Sequence, residues 1–136
     1  ILVTRKFIIK AGYMREDYFL YAEEVEWCIR AKNLGLSLGY CDNALIFHHQ
    51  GSTTKSLGPV SNLPRLPVYL NERNRLLVVR DRDPFHFPIA VAASLVIFSF
   101  RFLTRGAVRQ WLYALQGWLA GLSNERGKPR WSEGGT

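Results

Sequence analysis

The chain is short of several things, and each shortage excludes something. Two cysteines in 136 residues, Cys28 and Cys41, make neither a metal-ligand spacing nor a disulfide framework. They read as two buried, reduced thiols, with Cys28 on an apolar helix face. No apolar run reaches the ~20 residues needed to span a bilayer. The longest uncharged stretch, Phe85–Phe100, has 16, which reads as a buried or interfacial segment. There is no internal repeat, no low-complexity tract and no evident secretory leader. Acids are scarce in the second half. Residues 65–136 hold eleven Lys/Arg against five Asp/Glu, whereas residues 1–64 hold seven against six. The basic excess is interleaved with Trp, Phe and Leu and carries no nucleic-acid-binding motif. That mixture suits an anionic membrane surface rather than a nucleic-acid groove.

What is present is a chain with 48% hydrophobic residues, enough for a core of its own. Its centre of gravity is Tyr18–Arg30, where an aromatic approach, Tyr18-Phe19-Leu20-Tyr21, runs into Glu23-Glu24. Val25, Cys28, Ile29 and Leu34 then recur at helical spacing, and Gly35 supplies a stop. The spacing predicts a helix over 22–34 with two glutamates in its first turn. Unpaired backbone N–H groups and the positive dipole end favour ionised carboxylates there. Such a position suits a general base or a metal-proximal acid, and it is also where ordinary helices keep glutamates.

Along the chain, Ile1–Thr4 reads as the end of a buried strand entered without an initiating Met, as in a fragment. Arg5–Ala11 reads as a short helix closed at Gly12. Leu36–Tyr40 and Ala44–Phe47 alternate as strands would, the second ending at His48-His49. Gln50–Pro67 is a long polar loop. From about residue 68 the pattern is helical. Tyr69–Arg82 is charged, Phe85–Phe100 apolar, and a third segment sets Arg101, Arg105 and Arg109 against a Trp111/Leu115/Trp118/Leu122 face. The tail from Ser123 reads as disordered. These elements predict an α/β fold: a catalytic layer over 1–64, a helical and membrane-associated extension over 65–122, and a tail over 123–136.

Three pieces in order carry a more specific likeness. They are Gly12-Tyr13 leading through Asp17–Tyr21 to Glu23–Ala31; then Ala44–Thr53 with His48-His49; then Tyr69-Leu70 and Arg73–Leu77. Over about residues 1–122 the chain resembles the C-terminal half of the family-two inverting glycosyltransferases of the GT-A (Rossmann-like) fold. It is most similar to the rhamnosyltransferase-like members that build cell-surface polysaccharides. The resemblance implies transfer of a sugar from a nucleoside diphosphate sugar to a hydroxyl of a lipid-linked or polysaccharide acceptor, with inversion. It implies Glu24 as the base, where many members have Asp. Glu23, Glu26 and Tyr21 would then shape the acceptor site, and His48 would bind a divalent cation, Mn²⁺ or Mg²⁺. Ser52, Thr53, Lys55 and Arg73 would border the diphosphate. The nucleotide-binding half, with its Asp-x-Asp strand end, would lie upstream of Ile1, leaving the isolated chain inactive. The implied location is peripheral, at the cytoplasmic face of a bacterial plasma membrane. A reading from another class remains beside it: a non-enzymatic membrane-surface module built on the Arg/Trp helices.

Overall fold

The structure, a computed structural model, describes residues 2–45, 47 and 59–132. Five α-helices carry it: α1 (Arg5–Ala11), α2 (Glu23–Asn33), α3 (Arg65–Arg82), α4 (Phe87–Leu103) and α5 (Val108–Leu122). There is no strand among the described residues, so the α/β expectation is corrected to an all-helical arrangement. Leu36–Tyr40 is irregular, with Tyr40 almost fully exposed, and so are Leu45 and Phe47. Leu2, in the expected first strand, is exposed as well. The physical reason is pairing. An alternating pattern becomes a strand only when a neighbour satisfies its backbone groups, and among the described residues no strand lies beside these short segments.

The helices start and stop for local reasons. Thr4 caps α1, its Oγ1 accepting from the Phe7 N–H at 3.2 Å, and Gly12 ends the helix at φ 72°. Trp27 of α2 packs edge-on against Phe7 and donates its indole N–H to the Gly12 carbonyl at 2.8 Å. Arg30 donates to the carbonyls of Ala11 and Tyr13. These ties seat α1 on α2.

α3 is the central element, buried on nearly every side. Its closest neighbour is α5, and two glycines four residues apart make that approach possible. A Cβ at Gly117 would lie 2.1 Å from the Tyr69 carbonyl oxygen, and one at Gly121 would lie 2.9 Å from that of Arg73. Arg80 of α3 donates to the last carbonyls of α5, at Gly121 and Leu122, closing its negative end. α4 packs one face on α5 through Phe98 and Phe102. Two tryptophans fasten that seam: Trp111 donates to Ser99 Oγ, and Trp118 to Ser94 Oγ and the Val91 carbonyl.

The segment after Ser123, expected to be disordered, runs back over the fold as far as it is described. The Gly127 N–H donates to the Asp17 carbonyl, and Glu125 accepts from the Tyr69 hydroxyl at 2.7 Å. Arg65 stacks over the Trp131 ring at 3.9 Å. Its Gly, Pro and charge content resembles that of a linker, but the partners that order it lie more than forty residues away, out of reach of any local reading.

Candidate functional site

The site begins at an unusual piece of backbone. Phe19 (φ 70°), Tyr21 (φ 67°) and Ala22 (φ 67°) all adopt left-handed conformations, and Ala22 is the N-cap of α2 without offering any side-chain cap. Each costs on the order of 1–2 kcal/mol for a residue with a Cβ. Such a run persists only where the surroundings over-determine it.

α3 supplies the surroundings. Asn74 is fully buried, and its amide nitrogen lies 3.0, 2.7 and 2.8 Å from the carbonyl oxygens of Tyr18, Leu20 and Tyr21. Arg73, also fully buried, donates to the Tyr18 carbonyl at 2.8 Å and the Gly127 carbonyl at 2.7 Å. Its Nε donates to Asn74 Oδ1 at 2.9 Å, fixing which way the amide points. Burial lowers the Arg73 pKa from its ordinary value, and nearby Tyr69 and Glu125 oppose that effect. The adjacent Arg-Asn pair is thus a clamp on the loop before α2.

A second clamp grips the loop from the other side. Arg15 donates to both oxygens of Asp17 and to Asp81, while Arg126 bridges the same two carboxylates. The hydroxyl of the fully buried Tyr18 donates to Asp81 at 2.8 Å. Burial works against ionisation of Asp17 and Asp81, but hydrogen bonds outweigh it, from Arg15 and Arg126 at Asp17 and from Arg126 and Tyr18 at Asp81. Both carboxyls are held below their usual range. Burial, then the Asp81 hydrogen bond, pushes the Tyr18 hydroxyl well up, so it stays a donor.

The three glutamates that follow have different fates. Glu24 is exposed at the open first turn of α2. Glu23 is half-buried, one of its oxygens is enclosed without a partner among the described residues, and desolvation raises its pKa. Glu26, expected to touch an acceptor, is fully buried. It pairs with Arg30 at 3.1 Å and with Arg82, riveting α2 to α3. Tyr21 is half-buried with its hydroxyl enclosed and unpartnered among the described residues. It borders a cavity of about 200 Å³ together with Asn71, Glu72 and Arg101. Glu72 is 2% exposed, and burial raises its pKa against the pull of Arg75 and Arg101.

The structure therefore brings Tyr21, Glu23 and Glu24 to one place. It turns Glu26 and Arg73 inward, so Arg73 serves the loop's carbonyls rather than facing a diphosphate. His48, Ser52, Thr53 and Lys55 lie outside the described residues. No three metal-ligating side chains cluster among the described residues, which do not by themselves make a cation site. Cys28 is half-buried and Cys41 exposed, not both buried as expected. The reading from sequence assigned no role to Asp17 or Asn74, though both fall in the motifs that carry the resemblance, and none to Asp81 or Arg126. The signal for Asn74 was there: a polar pair, Arg73-Asn74, between apolar residues on the inner faces of a helix. Asp17 and Arg126 carry no such signal, since they meet across 109 positions.

Comparison with known proteins bears on this geometry. No family model matches the chain, and no solved structure matches it. The chain is similar to the low-salt glycan biosynthesis hexosyltransferase Agl10 of Haloferax volcanii, at 27% identity over 140 residues, covering 95% of this chain. The aligned region is 42% of that protein, so the chain spans less than half the length of the relative it matches. At that coarse level the likeness supports a glycosyltransferase.

Proposed function

We propose that the chain forms the acceptor side of an inverting glycosyltransferase that moves a sugar from a nucleoside diphosphate donor to a hydroxyl of a glycan or lipid-linked acceptor. The observation that carries this reading is the placement of Glu24. It is the one exposed carboxylate in the first turn of α2, just after a loop whose left-handed backbone is gripped by a buried and a half-buried polar clamp. A base needs a defined position and access to its substrate, and Glu24 combines them. Glu23 beside it is half-buried, with one oxygen enclosed and unpartnered among the described residues, which would let it accept a hydrogen bond from an acceptor hydroxyl.

In this scheme the Glu24 carboxylate takes the acceptor hydroxyl proton as that oxygen attacks the anomeric carbon. The bond from that carbon to the diphosphate oxygen breaks, the diphosphate leaves with the electron pair, and the configuration inverts. Helix α2 contributes position: it sets Glu24 in its exposed first turn, at the positive end of the helix dipole.

The test is sugar transfer by the full-length protein from nucleoside diphosphate hexoses to glycan acceptors. Glu24→Gln should lower turnover by at least about a thousandfold while donor binding stays within about twofold. Turnover within about tenfold of wild type, or ~1.4 kcal/mol of barrier, would remove Glu24 from the role of base.

A further inference from the structure

α4 presents a surface that the transferase reading does not use. Its inner face is occupied by α5, but its outer face is bare. Phe85, Ile89, Val96, Ile97, Phe100 and Leu103 recur at helical spacing, with exposures of 84% at Phe85, 68% at Val96 and 70% at Phe100. From Pro84 to Leu103 the mean hydropathy is 1.7 and only 17% of the most apolar window is buried. A stripe of large apolar side chains this long is far beyond the scattered exposure normal for a soluble surface.

Charge says what covers it. There is no Asp or Glu from Pro84 to Asn124. Arg101, Arg105 and Arg109 gather at the α4–α5 turn, all three exposed, and none is paired with a carboxylate among the described residues. At the other end Asp83 is already engaged by His86 at 2.7 Å. An apolar stripe ending in unpaired arginines matches an anionic lipid surface, acyl chains against the stripe and phosphates against the guanidinium groups.

We infer that the outer face of α4 docks the protein in the plane of an anionic phospholipid membrane, with Arg105 and Arg109 at the headgroups. The depth follows from the fold. Residues 84–103 would be about 30 Å long as a helix, enough to cross a bilayer. However, α4 is fastened to α5 by Trp111 and Trp118, and α5 is locked to the charged α3 by Gly117 and Gly121. A spanning α4 would draw the α3 charges into hydrocarbon, whereas an in-plane α4 immerses only the bare stripe. The tryptophans, which the sequence placed at the lipid surface, instead hold the docking helix to the domain.

The test is flotation of the full-length protein with vesicles of phosphatidylcholine containing about 30% phosphatidylglycerol, with pure phosphatidylcholine vesicles as the neutral control. Wild type should float with the anionic vesicles. A V96N/F100N variant, whose changed side chains point away from α5, should keep its circular dichroism and bind at least about tenfold more weakly. An R105A/R109A variant should bind neutral vesicles as wild type does and lose most of the salt sensitivity on anionic ones. Three results overturn the inference. They are a wild type that stays with the soluble fraction, a V96N/F100N variant that floats unchanged, and a soluble dimer that V96N/F100N dissociates while flotation is absent. The last would assign the stripe to a second copy. None of these outcomes depends on whether the protein transfers sugars.

Discussion

The loop before α2 and the outer face of α4 are opposite solutions to being at a surface. The loop is strained, and the chain holds it with polar groups: the buried Arg73 and Asn74 below, the half-buried Asp17–Asp81–Arg15–Arg126 array beside it. The α4 face is relaxed helix on which large apolar side chains stand exposed, with none of the described residues laid over them. In the first region the fold spends stability to fix the position of one exposed acid. In the second it leaves apolar area uncovered, a cost that the proposed lipid contact would remove. The lesson is that burial alone does not locate function in this chain; the mismatch between a surface and its support does.

Both regions hang on the α3–α5 seam, so breaking that seam should have the largest effect. Gly117→Val forces side-chain carbon into the Tyr69 carbonyl, and thermal unfolding should show a loss of about 3 kcal/mol or more. Next comes the loop clamp. Asn74→Ala takes the side-chain donor from the Leu20 and Tyr21 carbonyls, leaves Tyr18 to Arg73, and frees a left-handed backbone, so urea denaturation should show a loss of about 3 kcal/mol.

The acid array should fail in a pH-dependent way. The folded carboxyls of Asp17 and Asp81 lie below their ordinary 3.8. Their contribution is therefore complete above that value and is lost as pH falls through the folded values. Asp81→Asn should cost about 2 kcal/mol at neutral pH, and its difference from wild type should shrink as acid titration passes below pH ~4. Constant destabilisation down to pH ~2 would show that the array acts by shape rather than by charge. At the small end stands the α4 stripe. Without lipid, V96N/F100N should change stability by no more than about 0.5 kcal/mol, because these side chains make no contact worth keeping in water.

The helices were legible because each carries its own signal. Arg5–Ala11 has a Thr cap and a Gly stop and appears over that span, and α2 appears within a residue of its expected bounds. The strands were not, because alternation over four or five residues records only a tendency until a neighbour pairs with it. Glu23 and Glu24 could be read from helix chemistry, since the first turn exposes them. Glu26 looks equivalent in sequence, yet one more step around the helix turns it onto Arg82 and away from solvent. The Arg73-Asn74 pair was noticed, but its job depends on where the loop of residues 18–21 folds, fifty residues earlier. Gly117 and Gly121 carried a readable spacing for close helix packing that only the partner helix made specific.

The central claim is that the clamps exist to present Glu24, so that position and chemistry can be separated. The most direct measurement pairs unfolding free energy with sugar-transfer rate for Asn74→Ala and Glu24→Gln in the full-length protein. The account predicts that Asn74→Ala loses both. Glu24→Gln should stay within about 0.5 kcal/mol of wild-type stability while losing at least about a thousandfold in rate. A Glu24→Gln protein that transfers sugar within about tenfold of wild type would contradict it, and so would an Asn74→Ala protein that keeps the full rate.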